Sequence, residues 1–298
     1  TEDIPQIPAD VIYLLPVFEP GTGDVITGGD VRKGELGSIY AVKDFYRLDP
    51  MICTPPEEAD IAALVDGEYL AEEDLADVLG AAGAKKAGGP AGVKKMGGAG
   101  LEKKFGRDAA LQLVGRAQLR ELVDRAHDAG KKVIFDLVLM QTSRDSKLIE
   151  EHRDWYDLDE NGVPKTHGIA WLDYSDVALL RLRFNKPLQD YLSAVAPWWI
   201  QRFGLDGVRI DASQTVDKPF LKQIKNRINQ IKSDAIVLGE TLCRFEEAVD
   251  VPVDMIYSLF VDHHVNIGHA TPYYDLLELY HRTFPPGTIG VAYFENHD

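Results

Sequence analysis

The sequence predicts an α/β fold of the (β/α) barrel type, and three observations carry that expectation. Short apolar runs recur along the chain, amphipathic segments with three- and four-residue apolar spacing separate them, and acidic residues stand at the ends of several runs. Short apolar strands alternating with helices argue for a parallel sheet covered by helices. Six such strands in one chain argue for a barrel over two separate layers.

The first strand is read at residues 11–17, an apolar run stopped by Pro16. A polar, glycine-rich loop follows. The next clear unit begins at Gly115, where Leu119, Leu122, Val123 and Ala126 form an amphipathic helix stopped by Gly130. Residues 132–139 are the strand after it. Residues 186–203 carry Leu188, Leu192, Val195, Trp199 and Ile200 at helical spacing, and the strand 207–211 follows, ending in a carboxylate. A further helix at 218–232 bears Phe220, Leu221, Ile224, Ile228 and Ile231 and leads to the strand 235–240. A shorter strand is expected at 255–259, then a helix around 273–283 and a strand at 289–294. Trp198 and Trp199 are read as packing residues, and His127 as a capping or packing histidine.

Residues 60–108 interrupt this rhythm as an insertion. Residues 60–79 are acidic and amphipathic, which predicts a helix. Between Gly80 and Gly106 the sequence is dominated by Gly, Ala and Lys, with lysine pairs at 85–86, 94–95 and 103–104, nine residues apart. Such a segment has too little apolar surface to offset its ordering entropy, so a flexible, solvated loop is expected. A basic lid, or a contact with an anionic partner, is the alternative.

Composition narrows the function. The 298 residues hold 48 acidic and 32 basic side chains, a formal charge of -16, with 45% hydrophobic residues. This is a globular composition, and its charge argues against a nucleic-acid partner, which draws on clustered Lys and Arg. A neutral or cationic substrate fits better. No run approaches the roughly 18–20 apolar residues of a membrane span, so no membrane partner is expected. Two cysteines, Cys53 and Cys243, imply no disulfide framework.

The acids are placed informatively. Asp136, Asp211, Glu240 and Asp298 each stand at or just past the C-terminal end of a different predicted strand. In a parallel barrel those ends converge on the face that carries the active site. The two-residue strand period puts Arg209 and Asp211 on one side. An adjacent cation lowers a carboxylate pKa, so Asp211 is expected to stay ionised, as suits a nucleophile, while another acid keeps its proton. Two carboxyl groups with separated pKa values are what glycoside hydrolysis by double displacement requires. A buried Arg209–Asp211 ion pair that only holds the barrel mouth together is the competing reading.

Asp206-Gly207-Val208-Arg209-Ile210-Asp211-Ala212 resembles the strand-4 motif of the α-amylase family of glycoside hydrolases (family 13). Leu238-Gly239-Glu240 is similar to its strand-5 motif, and Phe294-Glu295-Asn296-His297-Asp298 to its strand-7 motif. Residues 37–46 look like the loop after the second barrel strand. The resemblance spans residues of about 11 to 298 without the lysine-rich insertion. It implies a TIM (β/α)8 barrel of which this chain is an incomplete segment covering about strands 2 to 7, the first and eighth strands lying outside it. By position it implies Asp211 as nucleophile, Glu240 as general acid then base, and Asp298 as the carboxylate that binds sugar hydroxyls. Arg209 would orient Asp211, His297 would contact the sugar, Tyr40 would be an aromatic platform, and Asp136 would support the site.

The implied activity is that of a retaining glycoside hydrolase or transglycosylase acting on α-glucosidic linkages of α-glucans or malto-oligosaccharides, with no cofactor. Met140 and Gln141 stand where the family commonly has asparagine and histidine. Methionine cannot coordinate calcium, so no metal is expected. Asp262-His263-His264 with His269 is read as a polar loop rather than a metal site. Degenerate strand-3 motifs also occur in maltosyltransferases that use maltose 1-phosphate, and Glu240-Thr241-Leu242-Cys243-Arg244 is loosely similar to their strand-5 segment. That sugar-phosphate activity, or a catalytically silent glucan-binding barrel, are the alternatives.

Overall fold

A computed structural model of the chain describes residues 3–25, 28–35, 37–166, 174–241, 255–258, 278, 282 and 289–291. In chain order its strands are β1 (Val11–Leu14), β2 (Phe18–Pro20), β3 (Val42–Leu48), β4 (Lys132–Leu137), β5 (Gln141–Ser143), β6 (Val177–Leu179), β7 (Gly207–Ile210), β8 (Ile236–Thr241), β9 (Met255–Ser258) and β10 (Ile289–Val291). Its helices are α1 (Ile61–Asp66), α2 (Glu72–Ala87), α3 (Gly89–Phe105), α4 (Arg107–Asp128), α5 (Leu148–Glu151), α6 (Lys186–Phe203) and α7 (Lys218–Ile231).

The six strands expected from the sequence form one sheet in the order β1-β4-β7-β8-β9-β10, every neighbouring pair parallel. Each strand lies beside the one that precedes it in this series, with no reversal of winding. That is the order of a barrel wall rather than of a doubly wound sheet. Among the described residues β1 and β10 do not pair, so the sheet is open.

Register divides the sheet into two faces. Tyr13 lies opposite Ile134, Asp136 opposite Arg209, and Arg209 opposite Leu238. Residues in register share a face, so the two-residue period sets Tyr13, Asp136, Arg209 and Glu240 on one side. The alternate residues Phe135, Leu137, Val208, Ile210 and Val237 join Trp199, Phe203, Ile224 and Ile228 of α6 and α7 in the main core. Gly207 sits where β7 starts against β8. A Cβ there would lie 1.9 Å from the Ile236 carbonyl oxygen, so only glycine permits the approach.

The helix at 186–203 has the expected bounds. Asn185 caps it by accepting from the Leu188 amide at 3.4 Å, and left-handed Gly204 ends it. Trp199 is fully buried and its indole N–H donates to the Phe45 carbonyl at 2.7 Å, stitching α6 to β3. Residues 37–46, expected as a loop, turn into β3 from Val42 and pair antiparallel with β2. α4 begins at Arg107, not at Gly115. Gly115 is an interior residue whose absent side chain makes room for Cys53, since a Cβ would lie 2.2 Å from the Cys53 Sγ. His127 Nε2 lies 2.8 Å from Asp206 Oδ2, and the Val133 amide donates to the same oxygen at 2.8 Å. The histidine therefore joins α4 to the loop before β7.

The Gly/Ala/Lys-rich part of the insertion is helical where a flexible loop was expected. α1, α2 and α3 pack with α4 around Ile61, Leu64, Leu75, Val93, Leu101, Leu113 and Val114. The composition argument counted only the segment's own apolar residues, whereas α4 supplies Leu113 and Val114 from outside it. Gly80 and Gly97, with φ of 70° and 66°, bend the two helices. All three lysine pairs are exposed. Asp74 of α2, fully buried, faces Arg116 of α4 at 3.3 Å, Arg202 of α6 at 3.4 Å, and Arg120 of α4.

Among the described residues no helix is long and apolar enough to cross a membrane. The helix expected around 273–283 lies outside the described residues except for Glu278 and Arg282. Asp262, His263, His264, His269 and Cys243 also lie outside them.

Candidate active site

β4, β7 and β8 end side by side, and their last residues build the site. Asp136 is the penultimate residue of β4, Arg209 its register partner on β7, and Glu240 stands near the end of β8. Asp211 follows β7 directly, its amide donating to the Leu137 carbonyl at 3.1 Å and so fastened to β4.

Arg209 is the centre of this arrangement. Its guanidinium is buried, and Nη1 donates to Asp136 Oδ1 at 2.9 Å, to Asp136 Oδ2 at 2.7 Å and to Asp211 Oδ1 at 2.8 Å. Nη2 lies 2.8 Å from Glu240 Oε1. One positive charge thus serves three carboxylates on three adjacent strands. Two tyrosines complete the cluster, Tyr13 donating to Asp136 Oδ2 at 2.6 Å and Tyr40 to the same oxygen at 3.0 Å. Burial and the neighbouring carboxylates push both phenols above their ordinary range, so both remain donors.

The electrostatics correct one expectation. Arg209 does contact Asp211, yet the Asp211 carboxyl is pushed up to about 7, first by burial and next by the charge on Asp136, with Glu240 adding to it. The attraction of Arg209 is outweighed because Asp136 and Glu240 share the same guanidinium. Asp136 is also raised by burial, against the pull of Arg209, Tyr13 and Tyr40. Counted formally, the cluster of three carboxylates and one guanidinium carries two negative charges away from water, an arrangement that favours retaining a proton.

Glu240 is pinned from the backbone side. The Ala212 amide donates to Glu240 Oε2 at 2.7 Å, and Ser213 Oγ donates to the Glu240 carbonyl at 2.6 Å. Ala212 does this from a left-handed conformation, φ 45° and ψ 42°, which costs a non-glycine residue about 1–2 kcal/mol. Gln141, at one of the positions that departs from the family motif, donates from Nε2 to the Tyr40 carbonyl at 3.3 Å and holds the Tyr40 loop. The Met140 carbonyl accepts from the Leu180 amide at 2.9 Å.

The structure therefore brings together Asp136, Arg209, Asp211, Glu240 and Tyr40. His297 and Asp298 lie outside the described residues. Tyr13 was missed from the sequence. Its signal was a hydroxyl embedded in an apolar strand, which must find a partner when buried. A buried cluster of carboxyl groups that shares one cation and retains a proton near neutral pH is suited to acid–base and nucleophilic chemistry on a neutral substrate.

Comparison with known proteins adds the following. No family model matches the chain. Over 128 residues it is 30% identical to a cyclomaltodextrinase of Thermoanaerobacter pseudethanolicus, the match covering 39% of this chain and 22% of that protein. It is 28% identical over 131 residues to neopullulanase 2 of Thermoactinomyces vulgaris, with 39% of this chain and 22% of that protein covered. Among solved structures, a maltogenic alpha-amylase of Thermotoga neapolitana matches with a TM-score of 0.66 at 21% identity, over 100% of this chain and 54% of that one. An alpha-amylase of Lactobacillus plantarum matches with a TM-score of 0.66 at 24% identity, over 100% of this chain and 58% of that one. The structural likenesses concern the fold. The sequence matches span about a fifth of the curated relatives' length, and the chain covers about half of the structural ones.

Proposed function

This chain belongs to the α-amylase family of glycoside hydrolases, family 13, and from that premise we propose that it forms the catalytic face of a retaining enzyme acting on α-glucosidic linkages of α-glucans or malto-oligosaccharides. The observation that carries the reading is the convergence of Asp136, Asp211 and Glu240 on Arg209 at the ends of three adjacent parallel strands.

Accessibility supports Asp211 as the nucleophile. Asp211 is the most open of the three, its side chain 16% exposed against 0% for Asp136 and 5% for Glu240. In this reading the Asp211 carboxylate attacks the anomeric carbon while Glu240 gives its proton to the departing glycosidic oxygen, leaving a glycosyl ester on Asp211. Glu240 then takes a proton from water or from a sugar hydroxyl as that oxygen attacks the ester, which releases Asp211. Asp136, saturated by Arg209 and two tyrosines, supports the pair. Asp298 and His297 are assigned to sugar hydroxyls and Tyr40 to the sugar face, on the strength of the family motifs. The sheet β1-β4-β7-β8-β9-β10 is proposed to be an arc of a TIM barrel, covering about its strands 2 to 7.

Asp211 attacks as the carboxylate, so its own proton must leave before the first step. That proton leaves as pH rises through about 7, the value to which Asp211 is pushed, so activity is expected to rise with pH up to about that value. Incubating the protein with maltoheptaose and with maltose 1-phosphate, then resolving products and free phosphate, tests the reading. Cleavage or transfer of maltoheptaose, reduced about 10²–10⁴-fold or more by Asp211→Ala and by Glu240→Gln, is the expected result. Phosphate release without maltoheptaose turnover replaces it with the sugar-phosphate transferase, and unaltered turnover in either variant overturns it.

A further inference from the structure

Asp136 carries more donors than its place behind the reacting pair requires. Its Oδ2 accepts from Tyr13 at 2.6 Å, from Arg209 at 2.7 Å and from Tyr40 at 3.0 Å, and its Oδ1 accepts from Arg209 at 2.9 Å. Asp211 draws on the same Nη1 through a single contact at 2.8 Å. The two aspartates therefore compete for one guanidinium nitrogen, and both tyrosine hydroxyls donate to Asp136.

We propose that Tyr13 is a positioning residue that keeps Asp136 ionised and thereby sets the pH at which the neighbouring Asp211 gives up its proton. The inference rests on the reading of Asp211 and Glu240 as the reacting pair. Its physical basis is that a donor to a carboxylate stabilises only the charged form, and two carboxylates in contact with one cation cannot both be neutralised by it. Among the described residues, the groups that face Asp136 include Tyr13 from β1, Tyr40 from the loop before β3, Arg209 and Asp211 from β7 and its end, and Glu240 from β8. Burial drives Asp136 towards protonation, and the donors oppose it. Removing the Tyr13 hydroxyl tips that balance. A proton that settles on Asp136 cancels the repulsion Asp136 exerts on Asp211, and Asp211 then ionises at lower pH.

The sign of this effect separates it from structural damage. Tyr13→Phe is expected to move the acid limb of kcat/KM on maltoheptaose, set by release of the Asp211 carboxylate, down by about 0.5–1 pH unit. The same shift is expected in a readout that needs no turnover, the ¹³C titration of the aspartate carboxyl resonance that Asp211→Asn removes. Tyr156→Phe is the control, since the Tyr156 hydroxyl is buried against Thr142 Oγ1 at 3.0 Å and makes no contact with Asp136. It is expected to move neither. An unchanged or upward-moving Asp211 titration in Tyr13→Phe, or an equal shift in Tyr156→Phe, overturns the inference. A protein without glucan turnover overturns the proposed function while the carboxyl titration still decides the role of Tyr13.

Discussion

Arg209 is a single cation among three carboxylates, and the cost of that arrangement falls on Asp211. Because the folded-state pKa of Asp211 is raised to about 7 from 3.8, the folded chain holds a proton that the unfolded chain releases between those values. Stability attributable to this group therefore falls as pH rises from about 4 to about 7. Asp211→Asn removes the penalty. It is expected to raise unfolding stability at pH 8 by on the order of 1–3 kcal/mol, the gain vanishing near pH 4, as measured by urea denaturation at both pH values. The Arg209–Asp211 contact itself was legible in the sequence, because the strand period fixes which side chains share a face. The direction of the Asp211 shift was not. It depends on Asp136 and Glu240, which are distant along the chain and reach the same guanidinium only through strand register.

At the scale of elements, legibility followed where each element finds its apolar partner. β4, β7 and β8 each bring their own short, dense apolar run, and α6 and α7 their own stripe, so all could be bounded from local pattern. α2 and α3 bring few large side chains and depend on Leu113 and Val114 of α4, a surface that no local window contains. The hairpin of β2 and β3 was hidden for the same reason, since its strands lie more than twenty residues apart. Asp74 fixes this helical insertion to α4 and α6 through Arg116, Arg120 and Arg202. Asp74→Ala would leave three clustered guanidinium groups without their buried counter-charge, and a loss of about 3–5 kcal/mol is expected in thermal or urea unfolding. An unchanged midpoint would show that the apolar cluster alone seats the insertion.

At the scale of the whole molecule, stability is distributed as the sheet is. β4 and β7 are paired on both sides and sandwiched between the polar site and the main core. α3 packs on one face and exposes its lysines. Amide hydrogen exchange is therefore expected to be slowest in β4 and β7 and at least tenfold faster in α3, so that the site rests on the part of the chain that opens last. Equal protection in α3 and β4 would contradict this.

The order β1-β4-β7-β8-β9-β10 also has a consequence for how the chain is made. Each strand pairs with a neighbour already synthesised, so the sheet can grow from one side as the polypeptide leaves the ribosome. The longest wait falls between β1 and β4, while residues 15–131 emerge, and during it α1 to α4 can close their own small core. After that, each new strand finds its template waiting. The cluster around Arg209 is assembled once Glu240 has joined the growing edge, with no later strand needed to bring its three carboxylates together.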